Sequence, residues 1–279
     1  LAYGVEHLSV SERAKKALDA GVDQFGGDAC THVIVDLVKS GAISEARLDV
    51  SVRRLLRDKF RLGLFDNPYV DPDAAEQIVG NPQFKAAGER AQRKSIVLLK
   101  NKYSANGRML PLSGRPKLYV ENIDPDVASA YGQVVETPGE ADLAIMRLHA
   151  PYDHVEDFVE VGYHTGDLDF KSEERERILK IMSQVPTIVD VYLDRPAVMP
   201  EIAEKSAGLL GNFGASDTAV LDMVFGRFRP SGTLPFELPS SMETVRKRRG
   251  DVPRDSGNPL FAFGHGLTYG PAARAFLAP

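Results

Sequence analysis

The chain has 279 residues, 43% hydrophobic and 26% charged, a composition that suits a soluble globular protein of two modest domains with a sizeable core. Its net charge of −5 comes with no stripe of Lys or Arg, which argues against nucleic acid as a partner, and the lone cysteine, Cys30, excludes an internal disulfide. The longest apolar runs, such as Ser95–Leu99, are strand-sized and too short to cross a bilayer, so no membrane partner is expected.

Residues 1–64 read as helix, short strand, helix, helix. Ser9 with Glu12 forms a capping box, and the helix it opens stops at Gly21. A short apolar stretch closed by glycines follows over Gly21–Gly27 and reads as the strand. The second helix carries Ile34, Leu37 and Val38 on one face and stops at Gly41. The third starts at Ser44, carries Leu48, Val52, Leu55 and Leu56 at helical spacing, and ends at Gly63. Cys30 reads as a small buried hydrophobe on a helix, and with no His or Cys at ligand spacing it implies no metal.

Residues 65–94 read as an interdomain connector, with turns at Asn67-Pro68 and Asp71-Pro72 and a helix that Asn81-Pro82 caps through Lys94. Residues 95–239 alternate apolar runs (95–99, 117–120, 143–148, 187–193, 208–213) with helical patterns over 173–183 and 218–225. Continuous Val/Ile/Leu strands separated by helices predict an α/β domain with a mostly parallel sheet covered on both faces. Residues 240–279 read as an irregular return segment.

In such sheets ligands bind at the carboxyl ends of the strands. The connection from His149 to about Ser172 is longer than usual and holds Asp153, Glu156, Asp157, Glu160, Asp167 and Asp169, three histidines and two tyrosines. Glu160 sits between Phe158 and Tyr163 with Val159 and Val161 beside it, the setting in which partial burial raises a carboxyl group's pKa for general acid work. The bland alternative is that all six carboxylates are solvated, Asp167 and Asp169 serving as turn and cap. The spacing of His149, His154 and His164 matches no metal pattern. Gly208–Gly214 lacks the dinucleotide fingerprint and reads as close backbone packing. Asp194-Arg195-Pro196 reads as an ion-paired turn, and no nucleophile elbow marks a serine hydrolase. The absence of tryptophan, the usual aromatic platform of a sugar-binding cleft, argues against a self-contained lectin-like module and leaves Tyr and Phe as the candidate aromatic platforms.

Several segments resemble family 3 glycoside hydrolases. Lys39–Asp49 and Ser51–Asp71 look like the exit from that family's catalytic barrel, and Ala91–Asn101 with Leu110-Pro111-Leu112 like the entry to its second domain. Phe225-Gly226, Pro230–Pro235 and Phe261–Tyr269 look like its closing motifs. The resemblance implies a chain whose residues 1–64 are the C-terminal end of a (β/α)8 barrel and whose residues 95–239 are the family's α/β sandwich. The chain opens Leu-Ala-Tyr-Gly and contains no Ser-Asp-Trp-like motif, so its natural start and the family's barrel nucleophile, an Asp, are expected upstream. The partners implied are a β-linked glucoside or xyloside and the N-terminal barrel half, with no cofactor. Compartment is not readable. Phe158-Val-Glu160 ahead of His164-Thr-Gly-Asp-Leu-Asp-Phe170 matches the string that marks the acid/base, which implies Glu160 in that role with Glu156 as second choice. Asp23, Gln24, Arg147, His149, Tyr152 and His164 are the expected substrate-binding residues. The implied activity is that of a retaining β-glucosidase or β-xylosidase, inactive without the barrel. The alternatives are a non-catalytic sugar-binding or docking module for a separate barrel chain, and an N-acetylglucosaminidase of the same family.

Overall fold

The computed structural model describes residues 4–27, 29–104, 107–153 and 163–270. The chain divides into two compact units, Leu1–Val79 and Gly80–Pro279. The boundary falls inside the expected connector, whose last helix belongs to the second unit.

The first unit contains α1 (Val10–Asp19), α2 (Thr31–Lys39), α3 (Glu45–Arg61) and α4 (Pro72–Ile78). Ser9 caps α1 as expected, its hydroxyl accepting from the Glu12 amide while the Glu12 carboxylate accepts from the Ser9 amide at 2.8 Å. A small core joins Ala14, Leu18, Leu37 and Ile43, with Phe25, Ile34, Val38 and Leu48 packed against it. Three expectations fail here. Val22–Phe25 forms no regular element and pairs with no strand among the described residues. Its polar groups go to α3 instead: the Val22 carbonyl accepts from Arg47 Nη2 at 3.1 Å, and Asp23 from Ser51 Oγ at 2.7 Å. Val52 and Leu56 on α3 are exposed rather than buried, because the apolar face they share is wider than this small core. Cys30 is half-buried at the N-cap of α2 instead of inside the helix, which begins at Thr31.

The second unit opens with α5 (Pro82–Ser95), capped by Asn81. In chain order there follow β1 (Val97–Asn101), β2 (Tyr103–Ser104), β3 (Gly107–Arg108), β4 (Lys117–Glu121), α6 (Pro125–Ser129), β5 (Gln133–Val134), β6 (Leu143–His149), α7 (Ser172–Gln184), β7 (Thr187–Tyr192), α8 (Pro200–Lys205), β8 (Gly208–Asn212), α9 (Asp217–Val224), β9 (Leu238–Pro239), α10 (Met242–Lys247) and β10 (Pro259–Phe261). The main sheet has the order β1-β8-β7-β6-β4-β5. All its neighbours are parallel except β1, which runs antiparallel to β8 at one edge. The expected mostly parallel α/β sheet is therefore the fold.

Alternation along the strands builds two cores. Ala144, Met146, Leu148, Val189, Val191 and Leu209 pack on one face against Ile178 and Ile181 of α7 and Ile202 of α8. Leu143, Ile145, Ile188 and Leu210 pack on the other against Val220–Val224 of α9 and Ala128 of α6. A fully buried side chain of this kind contributes about 1.5–3 kcal/mol, so the sheet, covered on both faces, carries most of the stabilisation. The glycines of β8 serve close packing: a Cβ on Gly211 would lie 2.7 Å from Leu193 Cδ1, and one on Gly208 2.9 Å from Leu110 Cδ1. The return segment is less irregular than expected, since it forms α10 and its β10 pairs antiparallel with β9 just ahead of it.

Candidate active site

The strand order reverses between β4 and β6. The chain steps from β4 outward to β5, crosses back to β6, and continues through β7 to β8. At such a switch point the connections on the carboxyl side diverge and leave a crevice. Asn122, just past β4, bridges that reversal by donating from Nδ2 to the Arg147 carbonyl of β6 at 2.7 Å. Its left-handed backbone (φ 55°) is one that Asn tolerates better than most residues.

Arg147 lies on β6 opposite Asp190 of β7. Its guanidinium is spent inwards: Nε donates to Asp190 Oδ2 at 2.9 Å, Nη1 to Asp217 Oδ1 at 2.5 Å, and Nη2 to the Ala215 carbonyl at 2.6 Å. Asp190 is fully buried and also accepts from Asn212 Nδ2 at 2.9 Å, while its Oδ1 has no partner among the described residues. Burial pushes the Asp190 carboxyl above the usual carboxylate range, and the Arg147 charge and the Asn212 amide pull it back. The neighbouring carboxylates keep Arg147 protonated against the same desolvation. Asp217, the first residue of α9, accepts from the Asp124 amide at 2.9 Å, which draws the turn after β4 into the network.

The long connection leaves β6 at His149, which is exposed and packs edge-on against Tyr192 with ring centroids 5.5 Å apart. Its two legs then meet. Asp153 and Thr165 form an antiparallel bridge, with the Asp153 amide donating to the Thr165 carbonyl at 2.9 Å. Tyr152 and His164 stack face to face, centroids 3.7 Å apart and planes 10° from parallel. His164 Nδ1 pairs with Asp194 Oδ2 in a short contact. Arg195 donates to the carbonyls of Thr165, at 2.5 Å, and Gly166, at 2.7 Å. Asp153 also pairs with Lys171 at 2.6 Å, which holds its carboxyl below the usual range. Gly166 adopts φ 81°, and a Cβ there would collide with the Asp153 carboxylate. Beyond this neck the returning leg joins the body, the Val198 amide donating to the Leu168 carbonyl at 2.8 Å.

The structure thus brings together Tyr152 and His164, sets His149 beside Tyr192, and turns the Arg147 guanidinium into an internal network. Glu160 and Glu156, the acid/base choices, lie outside the described residues, as does His154. Asp23 and Gln24 belong to the first unit. There the Ser51 hydroxyl, assisted by Arg54, lowers the Asp23 carboxyl below its usual range, while Gln24 is exposed. Among the described residues no three His, Cys, Asp or Glu side chains form a group able to hold a metal ion. No helix of the described residues is long and apolar enough to cross a membrane.

Sequence reasoning missed the partners of Arg147. The signal was present, because Asp190 is the lone carboxylate in the apolar run Thr187–Tyr192, and a charge on a doubly covered strand must be paired. The Asp194 and Arg195 contacts were missed because nothing local announces a partner 30 residues earlier.

Residues 128–269 match the description "Glycosyl hydrolase family 3 C-terminal domain". The chain belongs to glycosyl hydrolase family 3. It is 49% identical over 272 residues to "Probable beta-glucosidase C" of Aspergillus flavus, covering 96% of this chain and 42% of that protein. It is 40% identical over 272 residues to "Periplasmic beta-glucosidase/beta-xylosidase" of Dickeya chrysanthemi, covering 96% of this chain and 41% of that protein. A β-glucosidase from Listeria innocua, solved in complex with glucose, shares the fold at 22% identity with a TM-score of 0.66, over 93% of this chain and 44% of that one. The chain therefore spans less than half the length of the curated relatives it matches. The family 3 match takes in β6, both legs of the neck, Asp190, and the Asp194-Arg195 turn, and it leaves out the first unit.

Proposed function

We propose that this chain supplies the general acid/base of a retaining exo-β-glycosidase that releases a terminal sugar from a β-linked glucoside or xyloside. In this reading Glu160 is the acid/base, and the nucleophilic Asp is carried by a barrel outside these 279 residues. One observation carries the reading. The carboxylate-rich connection leaves the carboxyl edge of the sheet beside the strand-order reversal, on a neck that joins its two legs, where a family 3 domain can project a proton donor. The relatives' names, β-glucosidase and β-glucosidase/β-xylosidase, support the substrate class.

Cleavage then proceeds by double displacement. The barrel Asp attacks the anomeric carbon while Glu160 protonates the departing glycosidic oxygen. Glu160, now a carboxylate, takes a proton from water, which attacks the anomeric carbon and releases the sugar with its configuration retained. Retention places the two carboxyl groups about 5–5.5 Å apart. In this scheme residues 1–64 are the last part of the barrel, with Asp23 and Gln24 toward the sugar. Exposed apolar side chains such as Val52, Leu56 and Phe60 support the reading, because a barrel's neighbouring helices would cover a surface of that kind. His149, Tyr152 and His164 face sugar hydroxyls. Arg147 acts by holding the end of β6, since its donors already have partners.

The test is Glu160→Ala in the barrel-containing enzyme. Turnover of aryl β-glucosides with poor leaving groups should collapse while activated ones keep their glycosylation rate, and azide should accelerate deglycosylation and yield a β-glycosyl azide. The 279-residue chain alone should not hydrolyse these substrates. If the isolated chain turns them over and Glu160→Ala does not change that, both the role and the division of labour are wrong.

A further inference from the structure

The turn after β7 has no assigned task, yet it reaches the base of the acid/base connection with two adjacent side chains. Leu193 and Ala197, almost fully buried, bracket it, and the Leu193 amide donates to the Asn212 carbonyl at 2.8 Å. Asp194 and Arg195 are therefore presented from a fixed frame. Asp194 takes His164 Nδ1, and the two Arg195 Nη atoms take the carbonyls of Thr165 and Gly166. Three consecutive residues of the returning leg are thus held from one turn. The Thr165 carbonyl that accepts from Arg195 Nη1 also accepts from the Asp153 amide, so one oxygen receives both the bridge that closes the neck and one arm of the guanidinium. Tyr152, on the outgoing leg, stacks on the imidazole that Asp194 holds.

We propose that Asp194 and Arg195 are positioning residues for the general acid/base, acting through the neck. This rests on the reading of Glu160 given above, which stands four residues ahead of His164 in the chain. A guanidinium bound to two successive carbonyls fixes the orientation of the peptide between them, at the base of the connection whose sequence carries Glu160. An ion-paired turn that served only the fold would reach its own neighbours; this one spends all these contacts on the connection. Proton donation is the step most sensitive to such aim, because a displacement of about 1 Å can cost on the order of 100-fold in rate.

The experiment uses the barrel-containing enzyme and a series of aryl β-glucosides of graded phenol acidity. Arg195→Ala and Asp194→Asn should lower kcat/KM roughly 10- to 100-fold for the least acidic phenols and under about threefold for dinitrophenyl glucoside, which needs little proton donation. Arg195→Lys, which keeps the charge and loses the fork, should fall between. On a Glu160→Gln background Arg195→Ala should have no further effect on that series. A loss equal across all leaving groups, or none, in variants that fold overturns the inference, and the two milder substitutions keep the test alive if Arg195→Ala fails to fold. The Glu160 reading fails separately. If Glu160→Gln leaves the leaving-group dependence flat while the Arg195 variants steepen it, the turn positions a different carboxylate of the same arm. If both stay flat, neither assignment holds.

Discussion

Arg147 and Arg195 stand near the carboxyl ends of the neighbouring strands β6 and β7, and their guanidinium groups are used on opposite terms. Arg147 has a side chain 17% exposed and pairs with two carboxylates, one of them with no exposed surface. Arg195 binds two neutral carbonyls at a partly exposed turn. Burying charges in the first cluster costs solvation that only correct pairing repays, so breaking it damages stability. The second needs no carboxylate desolvated, adds little to stability, and can fix direction at small cost. The edge of the sheet thus carries one cluster that holds the fold and another that ties the returning leg of the connection to the turn after β7.

The largest expected effect breaks the first cluster. Arg147→Met leaves Asp190 as a buried carboxylate without a cation, which should cost about 3–5 kcal/mol in urea unfolding followed by circular dichroism. Adding Asp190→Leu to Arg147→Met should recover most of that loss, because the uncompensated charge goes with it. A cost below about 1 kcal/mol for Arg147→Met, the range of exposed pairs, would erase the distinction between the two clusters.

A second buried network sharpens the comparison with an effect of intermediate size. Tyr131, 4% exposed, donates to Asp222 at 2.7 Å, and Asp222 also pairs with Arg93 of α5 at 2.8 Å. Burial, reinforced by the hydrogen bond to Asp222, pushes the Tyr131 hydroxyl up to about 12. The folded state therefore holds this proton more tightly than the unfolded chain, whose tyrosines ionise near 10. Its contribution is complete below pH 10 and is lost as pH rises through about 12. Stability should fall on the order of 2 kcal/mol more over that interval in the wild type than in Tyr131→Phe, and the tyrosinate absorbance that the substitution removes should titrate near 12.

How much of this was legible follows from the range over which each contact acts. The strands Leu143–His149 and Thr187–Tyr192 were visible as mostly apolar runs, interrupted by the single internal charges Arg147 and Asp190, since a sheet covered on both faces leaves no polar alternation. The direction of β1 was not, because an apolar run says nothing about which way its neighbour points. The connection after His149 was conspicuous by length, and Glu160 by its neighbours and the string that follows, while the Arg195 contacts join segments about 30 residues apart and leave no local trace. The strand expected at Gly21–Gly27 shows the same limit from the other side. A ladder needs a partner strand, and within the first unit the polar groups of Val22 and Asp23 are taken by Arg47 and Ser51.

The smallest expected effect lies on the exposed side of the comparison. The Lys171 ammonium holds the Asp153 carboxyl below its ordinary value, from a position open to solvent. A depressed carboxyl contributes stability above the unfolded value near 3.9 and loses it as pH falls through the lower folded value. Solvent screens this pair, so Lys171→Ala should leave the unfolding midpoint at neutral pH unchanged within error. In an NMR titration the same substitution should return the Asp153 carboxyl toward its ordinary value. A clear loss of stability at neutral pH, fading as the solution is acidified, would mean that the neck is a load on the fold like the Arg147 cluster, and the contrast between the two arginines would narrow to their acceptors alone.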